Sequence, residues 1–572
     1  MTIKRRGRGV DDPDQMQMFK KDELLPPPFD KSHVDSASLA KLGLTAKDAG
    51  DSKLITHPLF SKNMEHWHFQ VDMAAKAVDE NSLIILPTGL GKTNIAALVA
   101  AKRMQEKPHK KVLMLAPTTA LVNQHAETFG QLFSGKKVAK IMGGVENREK
   151  IWENSDIVIA TPQTIENDLA GGRIKLDDVS LLIVDEAHKT RGDYSYVNVG
   201  RQYQKVEGSR VLGLTASPGS SAQKIKEICS DLGIPPGSIQ IRTDEDRDVK
   251  PYIQFVNRRE IKVPLPDVKD IREQLGSLYE DSLDALQKQV KKRGYLSEYL
   301  KGTRFTEKAV DEIRTEEITK LFEQISDRKD RLKSRGLDYT TDAKQSNADL
   351  TACAKVLKLS HALRTLDTHT LYTTYEYLKR MKGDGTKASE ELFEDNRMDE
   401  SYTAIGSMDA THPKVLALQD IVLKNKGKNI LVFTEYTDTA EDITRELNEW
   451  NKDVKARKFI GQRGMTKKEQ RETLEAFKNR EFNVMVATSV AEEGLDISAV
   501  DAVVFFEPVP DEKRTVQRAG RTGRRAPGEV YVLITEGSRD ELNYWDSQRK
   551  WDRMRKNVEM LQKKRQWESG GQ

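Results

Sequence analysis

Three short strings carry residue types suited to phosphate chemistry. LPTGLGKT, residues 86–93, follows the apolar run SLIIL and precedes NIAALVAAKRM, so a glycine-bearing loop lies between a strand and a helix. Backbone N–H groups around Gly89 and Gly91 can approach phosphate oxygens closely, Lys92 can neutralise charge on the β and γ phosphates, and the Thr93 hydroxyl can ligate Mg²⁺ at the helix N-terminus. The loop Leu86, Pro87, Thr88, Gly89, Leu90, Gly91, Lys92 and Thr93 is therefore the expected nucleotide cradle, although Leu86 stands where the strict pattern has glycine.

VDEAH, residues 184–188, ends the apolar run LLIV. A carboxylate at a strand end beside such a loop can hold Mg²⁺ through water, which suits Asp185, while Glu186 is placed to orient and deprotonate an attacking water. The same pair could instead cap a helix or join a salt bridge. QRAGRTGR, residues 517–524, offers Arg521 and Arg524. Arginines delivered from a second domain stabilise the charge that spreads over a transferring phosphoryl group; a basic loop lying on nucleic acid is the other reading of this string.

These residues need elements to hold them. From about 56 to 255, SLIILP, KVLMLAP, DIVIAT, SLLIVDE and RVLGLTAS alternate with helical stretches, as buried parallel strands and their crossover helices do. NILVFTE, VKARKFIG, NVMVATS, AVVFFEP and EVYVLIT repeat the scheme between 406 and 550. The fold class is α/β, with two parallel-sheet domains. Between them, residues 256–405 read as a helical insertion with balanced charge, residues 1–55 as a polar arm, flexible or loosely docked, and 551–572 as a tail, with a helix packed back on a domain after residue 540. In the arm the basic cluster Lys4 to Arg8 could touch phosphates or remain solvated.

A chain of 572 residues predicts two to four domains at about 150 residues each. With 93 Lys+Arg against 89 Asp+Glu, the formal charge is only +4, so any nucleic-acid surface must be local. Two cysteines, Cys229 and Cys353, exclude a four-cysteine zinc site and a disulfide framework, and fit a reducing compartment. No run of about 18 apolar residues occurs, so no membrane partner is expected and the expected location is cytoplasmic, nucleoid-associated.

Taken in order, the three strings resemble those of superfamily 2 helicases, from about residue 56 to 550. The resemblance implies two RecA-like domains with ATP between them and Mg²⁺ on Thr93 and Asp185. Gln70, in HWHFQ, looks like the glutamine that reads adenine. APTTALVNQH, MGG and TPQTIENDL resemble strand-gripping motifs, which implies nucleic-acid contacts for Thr118, Gly144 and Thr161; LTASPG, with Thr215 and Ser217, resembles the coupling motif. In the second domain VFTEYTDTA, FIGQRGMTKKEQRETLEAF and VATSVAEEGLDI imply that Thr434, Gln462, Thr488 and Ser489 lie near the nucleic-acid backbone while Gly494 and Asp496 face the nucleotide. By the same resemblance His188 and Gln517 connect the two sides of the cleft.

TPQTIENDLAGGRI, FFEPVPDEKRTVQRAGRTGRR and the helical insertion look like the archaeal Hef helicases and their eukaryotic relatives of the FANCM type, which remodel forked and branched DNA. RNA-sensing and Dicer-type helicases are similar but usually carry Cys where this chain has Ala187, so an RNA-dependent ATPase is the alternative and a nucleotide-locked clamp a second. The resemblance implies that the insertion grips duplex; the clustered Lys291, Lys292 and Arg293, with Tyr295 close by, could track a duplex backbone as one such surface, and a solvated helix end accounts for the same residues. Many Hef proteins continue into a nuclease, and with no acidic nuclease motif here DNA cleavage is not expected. Replication or repair proteins are conceivable partners, but no motif identifies one.

Overall fold

The computed structural model describes residues 33–50, 52–219, 221–243, 246–252, 256–292, 315–334, 341–408, 410–461, 464–488, 500–508 and 528–569. Two parallel sheets dominate it. The first has seven strands in the order Ile239–Ile241, Ser82–Ile85, Val211–Thr215, Val179–Val184, Lys111–Leu115, Ile157–Ala160 and Val138–Ile141. Its five central strands are the five apolar runs of the first half of the chain, buried along nearly their whole length, as strands covered by helices on both faces must be. The two edge strands, shorter or more polar, are not evident from the sequence.

The second sheet has six parallel strands in the order Val256–Val263, Gly528–Thr535, Ala502–Phe505, Ile430–Phe433, Val484–Ala487 and Ala456–Phe459. This corrects the boundary expected at 256. Val256–Val263 reads VNRREIKV, too polar for a buried strand, and it lies at the sheet edge, where one side stays in solvent and charge is tolerated. Two further boundaries move. Of the two readings of the N-terminal arm, residues 33–50 and 52–55 take the docked one: the helix Ser36–Leu42 and the strands Thr45–Ala49 and Ser52–Thr56 dock on the first domain, placing Leu39, Leu42, Leu44 and Ile55 in its core. At the other end, Arg539–Ser569 is one continuous helix rather than a domain end followed by a tail.

The insertion is helical, as expected. Its long helices Lys269–Lys292 and Thr341–Thr368 pack in one apolar cluster through Leu275, Leu278 and Leu359, and in a second, joined by Thr315–Ser334, through Leu286, Ile325 and Val356. It is fastened to the second domain through Thr373 Oγ1 to Thr439 Oγ1 at 2.8 Å, Arg364 to Glu435 at 2.8 Å and Arg380 to Asp438 at 2.5 Å. Among the described residues no helix is long and apolar enough to cross a membrane.

Candidate nucleotide site and nucleic-acid interface

The loop between Ser82–Ile85 and the helix Lys92–Glu106 crosses the C-terminal edge of the first sheet, where α/β folds place their ligands. Gly89 and Gly91 have φ of 88° and 83°, in the left-handed region that side chains resist. At Gly91 a Cβ would also stand 2.3 Å from Gln70 Nε2. Gln70 is buried, donates from Nε2 to Leu90 O at 2.8 Å and lies 3.4 Å from Asn94 Nδ2 through Oε1. It therefore holds the loop itself, whatever else it reads. Lys92 Nζ donates back to Leu86 O at 2.9 Å. Leu86, the departure from the glycine pattern, is fully buried in the domain core, a space glycine would leave empty.

Asp185 and Glu186 follow Val179–Val184, two strands away from the loop's strand. The Asp185 backbone is pinned at both ends: its N–H donates to Leu115 O at 2.9 Å and its carbonyl accepts from Tyr196 OH at 2.7 Å. Its Oδ2 is 2.7 Å from His125 Nε2. Burial alone would raise this carboxyl, but the His125 hydrogen bond, with His125, Lys92 and the Glu186 N–H around it, holds it below the usual carboxylate value. Glu186 sits at φ 50°, ψ 48°, a strained conformation for a residue other than glycine, and such strain clusters at functional sites. Its Oε2 is buried and, although His188 Nδ1 is 3.2 Å away, it makes no hydrogen bond of adequate geometry with any described residue.

The expected coupling residues form one network. His188 Nδ1 lies 3.1 Å from Thr215 Oγ1, and the Thr215 hydroxyl donates to Ser217 O at 3.0 Å. A threonine hydroxyl has one proton, so the His188 nitrogen is the donor in its contact. Ser217 Oγ in turn lies 3.3 Å from Met554 Sδ, on the helix that starts in the second domain.

The expected nucleic-acid residues divide by exposure. Gly144 is exposed at φ 82°, and half-buried Thr118 caps the helix Thr119–Leu132. Thr161 and Thr488 are buried, with Thr161 bonded to Thr164 at 2.8 Å. Thr434 is completely buried and donates to Glu507 Oε2 at 3.1 Å. Gln462, Ser489, Gly494, Asp496, Gln517, Arg521, Arg524, Arg293 and Tyr295 lie outside the described residues, as do the side chains of Lys291 and Lys292. His125, the partner of Asp185, is not among the residues that the motifs single out. The signal was present, since Leu121, Val122, His125, Phe129 and Leu132 form a core-facing helical stripe in which a histidine needs a partner.

Two family models match the chain: DEAD/DEAH box helicase over residues 68–225 and Helicase conserved C-terminal domain over 413–526. The solved helicase domain of Pyrococcus furiosus Hef is 39% identical, covers 84% of this chain and 97% of its own, and superposes with a TM-score of 0.59. The chain belongs to the Hef–FANCM group of superfamily 2 helicases. Its RecA-like domains and helical insertion are those of that group. A Methanocaldococcus jannaschii protein named as a candidate ATP-dependent RNA helicase is 36% identical over 89% of this chain and 63% of its own length. The ATP-dependent DNA helicase MPH1 of Pyricularia oryzae is 30% identical over 86% of this chain and 45% of its own. The chain thus spans less than two thirds of the curated relatives it matches.

Proposed function

We propose that this chain is an ATP-dependent DNA helicase or translocase that remodels forked or branched DNA. The observation that carries the proposal is the strained Glu186, with a buried unsatisfied carboxylate oxygen, next to Asp185, whose carboxylate is within electrostatic reach of Lys92 on the glycine loop. An orphaned buried acceptor suits a site completed by water and nucleotide. The donor set fits Mg²⁺ too: this ion takes one or two protein oxygens plus phosphates and waters, and the Thr93 hydroxyl and the Asp185 carboxylate are oxygens of that kind.

On this reading the phosphates lie on residues 86–93, with Gln70 toward the adenine side. Thr93 and, through water, Asp185 would hold Mg²⁺, which supplies charge neutralisation at the β and γ phosphates. Glu186 orients the attacking water and accepts its proton. Arg521 and Arg524, with Gln517, would complete the site from the second domain, with Gly494 and Asp496 toward the nucleotide. The change of state passes from Glu186 to His188, Thr215 and Ser217. Thr118 and Gly144 contact the strand backbone, so sequence preference is low and binding weakens with salt. The names of DNA helicases among the relatives favour DNA; the name of the M. jannaschii protein favours RNA as a second reading.

Steady-state ATP hydrolysis with no nucleic acid, single-stranded DNA, forked DNA and double-stranded RNA, at matched salt, tests the proposal. Greatest stimulation by forked DNA supports it. Preference for RNA transfers the chain to the second reading, and no stimulation by any of them leaves a nucleotide-locked clamp.

A further inference from the structure

The helix Thr119–Leu132 joins the two halves of the proposed chemistry. Its N-cap is Thr118, whose Oγ1 accepts from Leu121 N at 3.3 Å, and Thr118 begins the stretch assigned above to the strand backbone. Seven residues on, about 10 Å along the helix axis, His125 turns inward and places Nε2 at 2.7 Å from Asp185 Oδ2. A carboxylate only accepts, so Nε2 donates. The other ring nitrogen, Nδ1, is buried with no partner among the described residues. In a stripe otherwise made of Leu121, Val122, Phe129 and Leu132, packing alone would be served by another leucine. The histidine there accepts an orphaned polar atom in order to reach Asp185.

That bond acts on the movable part of Asp185. Leu115 O and Tyr196 OH fix its backbone, as described above, leaving the carboxylate free to turn about its side-chain bonds. His125 sets that rotation, and His125 moves only as its helix moves. We propose that His125 is a positioning residue that couples strand binding at the N-terminus of Thr119–Leu132 to the orientation of the Asp185 carboxylate, and so to the grip of the ATP site on Mg²⁺. This rests on the proposed function, because it requires both a nucleic-acid strand at Thr118 and a magnesium nucleotide at Asp185. It adds a direct route between the sites, separate from the one through His188, Thr215 and Ser217.

The test uses the full chain with His125→Leu, which keeps the packing and removes the donor, and His125→Gln, which restores a donor. Two quantities are measured: the Mg²⁺ dependence of hydrolysis with and without single-stranded DNA, and the affinity for a fluorescent ADP analogue in Mg²⁺ and in EDTA. For His125→Leu the half-saturating Mg²⁺ concentration rises about 10-fold and the ratio of DNA-stimulated to basal turnover falls by a similar factor. Nucleotide affinity in EDTA stays within about two-fold of wild type, because outer contacts to the metal carboxylate do not touch the nucleotide. His125→Gln recovers most of both losses.

Two results overturn the proposal: wild-type Mg²⁺ dependence and stimulation ratio in both variants, or an equal loss of nucleotide affinity in EDTA that glutamine does not rescue, which marks a packing role. A wild-type protein that no nucleic acid stimulates removes the proposed function and the coupling together. Stimulated wild type with unaffected variants removes the coupling alone.

Discussion

Ser217 Oγ lies 3.3 Å from Met554 Sδ, joining the end of a first-domain strand to a helix rooted in the second domain. The root is firm. Asp540, at the start of that helix, forms a buried ion pair with Lys414, and Tyr544 bonds Glu260 on the edge strand Val256–Val263. At the far end Val558 is buried within the first-domain core beside Cys229, Ile234 and Ile239. The helix is thus a physical link between the domains, beside Ser217.

Shortening Met554, which is fully buried, tests that link. Met554→Ala opens a cavity worth about 2–5 kcal/mol, enough to lower the thermal midpoint by roughly 4 °C or more. The loss in nucleic-acid-stimulated turnover should exceed the loss in basal turnover. Equal losses in the two rates would show the helix to be a brace with no share in coupling.

Glu186→Gln keeps the size of the side chain and removes the proton acceptor. Turnover should fall by about 10²–10⁴-fold with nucleotide affinity nearly unchanged. Single-turnover hydrolysis with a parallel binding titration checks both, and a variant that hydrolyses at the wild-type rate means the base lies elsewhere.

Gly91 is required twice, by its φ of 83° and by the approach of Gln70 Nε2. Gly91→Ala should weaken ATP binding by about 5- to 150-fold, the equivalent of 1–3 kcal/mol of strain. Calorimetric titration reads this directly. Affinity equal to wild type would contradict the placement of the loop against Gln70.

Lys414 is completely buried against Asp540 and donates to Thr368 O at 2.8 Å. Burial pushes the Asp540 carboxyl above its ordinary value in spite of Lys414 and the Thr535 N–H. Lys414→Met strands that carboxylate and should cost about 3–5 kcal/mol, whereas adding Asp540→Leu should recover most of the loss. Urea unfolding of the two variants decides it; a double variant no better than the single one would refute the pairing.

Acid should destabilise the fold before carboxylates titrate. Burial lowers His361 and His66 to about 4 and His412 to about 3, the last also opposed by Lys414, and pushes His369 well down. The unfolded chain takes up these protons near pH 6.5 while the folded chain resists until pH 3–4, so the unfolded state binds more protons throughout that window. Unfolding free energy therefore falls as pH drops from about 6.5 toward 4, by up to about 1.4 kcal/mol per pH unit for each such histidine. The thermal midpoint at pH 5 should lie roughly 5 °C or more below that at pH 7.5; identical midpoints would contradict the burial of these rings.

The amino-acid sequence by itself determined what is local. SLIIL, KVLML and LLIV become central strands because a strand covered on both faces must be apolar along its whole length. LPTGLGKT becomes the loop because its two glycines allow positive φ, and VDEAH lands at a strand end because the apolar run stops there. Tertiary structure decided what depends on partners distant in the chain. VNRREIKV becomes a strand only by pairing with Gly528–Thr535, some 270 residues later, at an edge that tolerates its charges. Thr434 is buried where its hydroxyl meets Glu507, and the helix Ser36–Leu42 and the strand Ser52–Thr56 dock because the first-domain core accepts Leu39, Leu42 and Ile55. His125 meets Asp185, and Met554 meets Ser217, through the crossing of elements whose periodicities fix which face turns inward but not what that face will touch.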